Sequence, residues 1–365
     1  MSLSTLLNSA LSDPLHAARS QRAIGLLGWN VPVELLLAAD AVPVQLNALP
    51  HSDHTVLADR YLEPSFSAQS RVVADRWLAG DLDGLEAVIF SRSDDSAQRL
   101  YYYLCELQRV GECKGPEPLL YDLARIRRET SLAHTIESTR ALATAVRADE
   151  SRLMAEIERV VARERLLGEL TKLRVGDAVP LGCDAYRIVR GARTQWSTEL
   201  DESLQQWLSG PATVEPRKRV LLVGSVPSDD HVHHAIESDG VVVVGEINEA
   251  SSPASLPASA VTTRYVSLSN PVETIARRCY DQTNAIGTLL QSPADLVKAA
   301  RALRVDGVIV WMLATDTGLA WEAPQMERAL REAALPTLML TSQPQTLSNE
   351  ALTLIAQFRR ALEVR

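Results

Sequence analysis

No apolar stretch of this 365-residue sequence reaches the roughly 18–20 residues that a transmembrane helix needs. Residues 1–20 also lack the pattern of a secretory signal, which is a basic segment, an apolar core and a cleavage site of small residues. We therefore expect no membrane association and predict a cytoplasmic protein. The hydrophobic fraction of 46% is close to that of soluble globular proteins, which argues against intrinsic disorder.

The chain also lacks a concentrated block of positive charge. Its net charge is −9, and the arginines between residues 125 and 174 are interleaved with glutamates. Binding to nucleic acid needs a concentrated positive face, because the phosphate backbone supplies most of the affinity. Nucleic acid is therefore not an expected partner.

Cysteine is scarce, and its spacing fits no metal site. None of the four cysteines forms a C-x-x-C pair, and Cys105 and Cys113 are eight positions apart, outside the usual zinc spacings. His231, His233 and His234 are close in sequence, but adjacent positions of a helix point to different faces. We predict buried or inert thiols and no metal site.

One βαβ unit is predicted at residues 305–340. An apolar run, Gly307–Leu313, is followed by a polar loop, a helix-like pattern and a second apolar run at residues 337–340. Strands that are buried on both faces read as continuous apolar runs, and parallel strands need a helical crossover. In open α/β sheets the ligand lies at the carboxyl ends of the strands, so the loop predicted at residues 314–321 is where chemistry is expected.

Similar apolar runs occur on both sides of a helical region. Gly and Pro nearly vanish between residues 119 and 173, where apolar residues recur at spacings of three and four. We predict an α/β fold with two Rossmann-like or flavodoxin-like parallel-sheet lobes, residues 1–118 and 216–365. A helical region, residues 119–215, joins them, and the cleft expected between the lobes would suit a small ligand.

Polar residues follow two predicted strands of the N-terminal lobe. Trp29 and Asn30 precede a helix that has Pro32 in its first turn, where exposed amide hydrogens could bind an oxyanion and where Asn30 would also be a good helix cap. Asp94 and Asp95 lie between a strand predicted at residues 85–90 and a helix predicted at residues 97–108, where carboxylates could bind a metal or transfer protons. Aspartate is also an ordinary helix cap, so both interpretations stay open.

Three patches of the sequence occur in an order found in a known family. The first is a glycine, six residues and Pro-x-Glu, formed here by Gly25, Pro32 and Glu34. The second is Asp81-Leu82-Asp83-Gly84-Leu85, with Val88-Ile89-Phe90-Ser91 and Asp95-Ser96. The third is Val223-Gly224-Ser225, with Asp306-Gly307-Val308-Ile309-Val310, Pro324 and Leu335-Pro336-Thr337. Together they resemble the 2-hydroxyacyl-CoA dehydratase and benzoyl-CoA reductase family.

The resemblance implies a [4Fe–4S] cluster held by one cysteine thiolate from each of three loops, because soft iron–sulfur cores need soft anionic ligands. The matching positions here are Ser65, Asp94 and Thr315, and none is cysteine. The resemblance therefore implies a cluster-lacking subunit or paralogue with no cofactor of its own. It would pair, as a heterodimer or larger complex, with a paralogous subunit that bears the cluster, and acyl-CoA is the implied small molecule.

With the cluster ligands absent, the vacated pocket becomes a candidate acyl-CoA site. Its expected binding residues are Trp29, Asn30, Ser65, Thr315, Trp321 and Glu322. Two other hypotheses stay open. One is a stand-alone acyl-CoA lyase or hydratase that uses Asp94, Asp95 and Asp316 as acid–base groups. The other is a non-enzymatic partner that stabilises a complex.

Overall fold

The computed structural model describes every residue of the chain except residues 53, 93, 125, 127, 252–269 and 365. It also does not describe the side chains of residues 17 and 284–291. In the part that it describes, no helix combines the length and the apolar character that crossing a bilayer requires.

Within these residues the chain forms eight strands and thirteen α-helices. The strands are β1 (Ala23–Leu27), β2 (Val42–Gln45), β3 (Ala87–Ser91), β4 (Glu117–Tyr121), β5 (Lys218–Gly224), β6 (Val241–Ile247), β7 (Gly307–Leu313) and β8 (Thr337–Gln343). The helices are α1 (Leu3–Ser12), α2 (Val33–Ala38), α3 (Ala68–Leu78), α4 (Asp95–Arg109), α5 (Glu129–Ala145), α6 (Glu150–Leu173), α7 (Gly182–Thr194), α8 (Thr198–Leu208), α9 (His231–Ile236), α10 (Pro271–Gln291), α11 (Pro293–Ala302), α12 (Thr317–Glu332) and α13 (Asn349–Glu363).

The strands form two four-stranded sheets with the same strand order. The orders are β2-β1-β3-β4 and β6-β5-β7-β8, and every neighbouring pair is parallel. β7, α12 and β8 form the predicted βαβ unit, with Val308 beside Thr337. The predicted α/β fold with two parallel-sheet lobes is confirmed.

Each sheet is buried on both faces. In β5, Val220 and Leu222 pack in one apolar cluster, and Leu221 and Val223 pack in another. Each of these four side chains is at most 1% exposed. Successive side chains of a strand point to opposite faces, so an unbroken apolar run supplies two cores at once.

The chain divides into two compact units. Unit 1 comprises Met1–Ala162, Gly191–Leu200 and Thr263–Asn284, and it contains the first sheet. Unit 2 comprises Arg163–Arg190, Asp201–Thr262 and Ala285–Arg365, and it contains the second sheet. The predicted helical region, residues 119–215, contributes residues to both units.

Three local predictions are wrong. Residues 119–121 belong to strand β4, because this short apolar run pairs with β3 at the edge of the sheet instead of starting a helix. Asn30 does not cap α2, since Pro32 occupies the cap position and the side chain of Asn30 makes other hydrogen bonds. Trp321 lies inside α12 instead of the preceding loop, because the helix begins at Thr317.

A glycine with positive φ follows or ends the first strand of each sheet. Gly28 has φ of 126° and Gly224 has φ of 124°. A Cβ atom at Gly28 would lie 2.4 Å from Cβ of Ser91, and one at Gly224 would lie 2.2 Å from the carbonyl oxygen of Trp311. Only glycine lets the backbone turn here while the neighbouring strand stays this close.

Gly224→Ala is expected to destabilise unit 2 by about 3 kcal/mol, because the change adds a backbone clash to an unfavourable φ. Urea unfolding of the full chain measures the loss. Gly210→Ala is the matched control in the same unit, since a Cβ there would meet no atom within 4 Å. A loss at Gly224 no larger than the loss at Gly210 would contradict the proposed constraint.

Candidate functional site

In each sheet, the strands that follow the first strand along the chain lie on opposite sides of it. β2 and β3 flank β1 on opposite sides, and β6 and β7 flank β5 in the same way. Ligands of open parallel sheets bind where the order reverses, beyond the carboxyl ends of the strands. The segments after β1 and β3 in unit 1, and after β5 and β7 in unit 2, are therefore the candidate positions.

A polar network fixes the segment after β1. Oγ of Ser91 donates a hydrogen bond of 2.6 Å to Oδ1 of Asn30, and Nδ2 of Asn30 donates to Oγ1 of Thr283 at 3.0 Å. The backbone N–H of Gly28 donates to Oδ1 of Asn47 at 2.7 Å. The bond from Ser91 joins the ends of β1 and β3, and the other two bonds join the segment to the residues after β2 and to α10, so the segment is held from three sides.

Trp29 lies beside a cation. The guanidinium of Arg193 donates to the carbonyl oxygen of Trp29, and its central carbon is 5.2 Å from the centroid of the Trp29 ring. A guanidinium at this distance gains a cation–π contact. The pair therefore combines a half-buried indole with a positive charge, a combination that suits an anionic or aromatic ligand group.

Asp94 is the N-cap of α4. Its Oδ1 accepts hydrogen bonds from the backbone N–H groups of Ser96 at 2.8 Å and Ala97 at 3.3 Å. The capping interpretation of this residue is thus confirmed, because these donors have no partner inside the helix. The carboxylate of Asp95 is 84% exposed and lies 3.9 Å from a guanidinium nitrogen of Arg99.

Arg99 brings Ser65 and the start of α4 together. Its Nη2 donates to Oγ of Ser65 at 3.0 Å and to a carboxylate oxygen of Glu63 at 2.6 Å. Its guanidinium also lies 4.1 Å from the centroid of the Phe66 ring. Two of the three positions implied by the family resemblance, Ser65 and Asp94, therefore lie in segments that this arginine connects. The exposed hydroxyl of Ser65 itself takes part in an ion-pair network.

In unit 2, Asp316 caps a helix, as Asp94 does in unit 1, and it also connects two loop segments. Its Oδ1 accepts from the backbone N–H of Leu319 at 3.2 Å, which caps α12, and its Oδ2 accepts from Oγ of Ser225 at 2.8 Å. That hydroxyl in turn accepts from the backbone N–H of Leu313 at 3.0 Å. Asp316 thereby links the segments after β5 and β7.

The remaining predicted residues of unit 2 differ in exposure. Thr315 is half-buried in the segment between β7 and α12. Trp321 and Glu322 lie in the first turns of α12, where Trp321 is 83% exposed and Glu322 is half-buried. The exposed indole is available to a ligand or a partner.

The cysteines have the properties of inert thiols. Burial raises the pKa of Cys183 to about 12 and that of Cys279 to about 11, and it also raises the pKa values of the half-buried Cys105 and Cys113. Metal ligation requires the thiolate, so all four are poor ligands as they stand. Among the described residues, no three His, Cys, Asp or Glu side chains are grouped in a way that could hold a metal ion.

The structure thus defines an α/β protein with two parallel sheets of the same order and polar capped loops at both points of strand-order reversal. A family model described as 2-hydroxyglutaryl-CoA dehydratase, D-component, matches residues 28–359. The chain belongs to this family, which confirms the resemblance to 2-hydroxyacyl-CoA dehydratases. No curated protein matches the sequence.

The residues present do not fit the iron–sulfur cluster that the family resemblance implies. The three matching positions offer two hydroxyl groups and one carboxylate in place of thiolates. The carboxylate of Asp94 is engaged as a helix cap, and the hydroxyl of Ser65 contacts Arg99 and Glu63.

Sequence reasoning missed several residues of these sites. Arg99 could have been found, because it stands four positions after Asp95 on a predicted helix. Arg193 and Ser225 are distant in sequence from Trp29 and Asp316, so no local pattern connects them. The contact between the buried His233 and Glu246 in unit 2 was also missed.

Asp94→Ala is expected to lower the free energy of unfolding by about 1 kcal/mol, because two backbone donors of α4 lose their acceptor. Asp94→Asn keeps an oxygen acceptor, so its free energy of unfolding should fall by only about 0.3 kcal/mol. Asp95→Ala, at the exposed neighbouring position, should change stability by less than about 0.5 kcal/mol. Equal stability of the Ala and Asn variants at Asp94 in urea titrations would contradict the capping role.

Proposed function

We propose that this chain is a cluster-lacking subunit of a 2-hydroxyacyl-CoA dehydratase-type complex. It binds an acyl-CoA or supports a paralogous catalytic subunit, and that partner bears the iron–sulfur cluster. The membership of the chain in the dehydratase D-component family supports the class of complex.

The observation that carries the proposal is the identity and the contacts of the residues at the three implied cluster-ligand positions. A ligand position must present a free thiolate to iron. Here Ser65 joins the Arg99 ion-pair network, Asp94 caps α4, and Thr315 precedes the capping residue Asp316. Ser65 and Asp94 thus stabilise their own loops, which supports a loss of the cluster without a loss of the fold.

The acyl-CoA part of the proposal rests on a positive charge beside the segment after β1. The guanidinium group of Arg193 lies beside the Trp29 ring within unit 1. Coenzyme A carries several phosphate charges and an aromatic base, and guanidinium and indole groups recognise such features. Trp29 and Asn30 therefore remain the binding residues that we favour in this unit.

The contacts of the three aspartates favour this proposal over a stand-alone lyase or hydratase. A general base needs a carboxylate oxygen within reach of the substrate proton. The oxygens of Asp94 and Asp316 already accept hydrogen bonds that cap helices, and Asp95 is 84% exposed beside Arg99. A site that depends on all three would have to break both caps.

Iron and acid-labile sulfide should each remain well below one per chain in protein purified under anaerobic conditions. The same result is expected after incubation with ferrous iron and sulfide, because the matching positions provide no thiolate. A stoichiometry of about four iron and four sulfide per chain, the content of one [4Fe–4S] cluster, would contradict the proposal.

A further inference from the structure

Strand β8 forms one edge of the second sheet, and its sequence does not protect that edge. An edge strand presents backbone N–H and C=O groups that no neighbouring strand uses, and proteins block such edges with proline, charged side chains or covering groups. β8 reads Thr-Leu-Met-Leu-Thr-Ser-Gln, without proline or charge. In the described part of the chain, it pairs with β7 on one side and with no strand on the other.

The other three edge strands are blocked against pairing. β2 is four residues long and contains Pro43, and β4 contains Pro118 at its second position. In β6, the backbone N–H of Val243 donates to Oε1 of Glu237 at 3.0 Å, and the carbonyl oxygen of Val243 accepts from Nη2 of Arg174 at 2.8 Å. Proline or a buried side chain therefore blocks each of these edges, and β8 differs from all three.

Every second residue of β8 directs its backbone groups away from the sheet. The backbone N–H of Val308 in β7 donates to the carbonyl oxygen of Pro336 at 2.8 Å, and Val308 lies beside Thr337 in the register. Even-numbered residues from 336 to 340 therefore direct their backbone groups towards β7, because this direction alternates along a strand. The outward residues are Thr337, Met339 and Thr341.

The regular part of this open edge ends at Thr341. Ser342 has φ of 54°, and the register between β7 and β8 shifts in this region. The carbonyl oxygen of Thr341 accepts a hydrogen bond of 2.9 Å from Nε2 of Gln343. That contact is exposed, and a carbonyl oxygen has a second lone pair for another donor. The outward groups of residues 337–341 thus remain suitable for pairing.

The open edge also carries apolar surface on both faces of the sheet. Met339 is half-buried and packs against the apolar cluster that contains Met326 of α12. Leu338 is half-buried and packs against the cluster that contains Ile355 of α13, on the opposite face. A strand added to β8 would cover the remaining exposed parts of both side chains, which is favourable.

The outward residues are arranged symmetrically about Met339, and this symmetry suits a second copy of the chain. An antiparallel copy related by a twofold axis at Met339 places this residue opposite its own counterpart. Thr337 then lies opposite the second copy's Thr341, and each facing pair exchanges two N–H···O hydrogen bonds. Threonine pairs and apolar pairs at directly opposite positions stabilise a sheet.

The charges of the helix beside the edge also agree with a second copy. A twofold axis perpendicular to the sheet keeps its two faces apart, so α12 of one copy lies on the same side as α12 of the other. The exposed charged residues in the second half of α12 are Glu327, Arg328, Arg331 and Glu332. Their charges balance, so two copies of this surface meet without net repulsion.

We propose that β8 is a homodimer interface, at which two copies of this chain join their second sheets into one continuous sheet. The contact is closed, because the twofold axis uses the same strand of both copies. The proposal goes beyond the subunit role proposed above and does not depend on it, since both partners are this chain.

Sedimentation equilibrium of the full chain, purified alone, tests the proposal. The expected mass is twice the 40.0 kDa of one chain. Met339→Lys should raise the dissociation constant by about tenfold or more, because two ammonium groups would lie opposite each other at the axis. Met339→Glu should have the same effect. An equimolar mixture of the two variants should restore the dimer, because opposite charges then face each other.

The matched control is Leu119→Lys. Leu119 is also a half-buried apolar residue at the centre of an edge strand, but its strand is β4, which Pro118 blocks. This variant should leave the dissociation constant within about twofold.

Thr341→Pro provides a second test if circular dichroism shows that the Met339 variants do not fold. Thr341 is exposed, and proline there removes an outward N–H without removing a hydrogen bond to β7. This variant should also weaken the dimer by about tenfold or more. The proposal is overturned by a mass of 40.0 kDa for the unmodified chain at micromolar concentration, by unchanged dimerisation of folded Met339→Lys or Thr341→Pro, or by a mixture of folded Met339 variants that stays monomeric.

Discussion

At the carboxyl edge of each sheet, a glycine with positive φ lets the chain turn while the neighbouring strand stays in van der Waals contact. Gly28 makes this approach to Ser91, and Gly224 makes it to Trp311. A serine hydroxyl then links the two loops at the edge, from Ser91 to Asn30 in unit 1 and from Ser225 to Asp316 in unit 2. Both sheets therefore end in the same two features, a glycine that allows a close approach and a serine that connects two loops by a hydrogen bond.

This constraint determines what the loops can do. The polar residues of these loops have fixed hydrogen-bond partners. Asp94 and Asp316, for example, cap the helices that follow them. A catalytic or ligand-binding site in such loops needs side chains that are not already engaged in stabilising the fold. In this chain the fold uses Ser65 and Asp94, two of the three implied ligand positions, for contacts of its own, which supports the role proposed above.

Much of the architecture could be predicted from the sequence, because buried parallel strands such as β5 and β7 read as unbroken apolar runs. The edge strand β4 could not, since three apolar residues fit a helix as well as a strand. The candidate site was predicted by loop position and by resemblance, which located Asp94 and Asp316 but not their partners. Contacts such as Arg193 with Trp29, or His233 with Glu246, arise from tertiary packing and leave no local pattern.

The central claim is that the chain contributes to an acyl-CoA dehydratase without carrying its cluster. The most direct measurement is the rate of 2-hydroxyacyl-CoA dehydration by the complex isolated anaerobically through a tag on this chain, compared with the rate of the chain alone. We predict turnover by the complex, with all of the iron in the partner, and none by the isolated chain. Turnover by the isolated chain at a rate comparable to that of the complex would contradict the account.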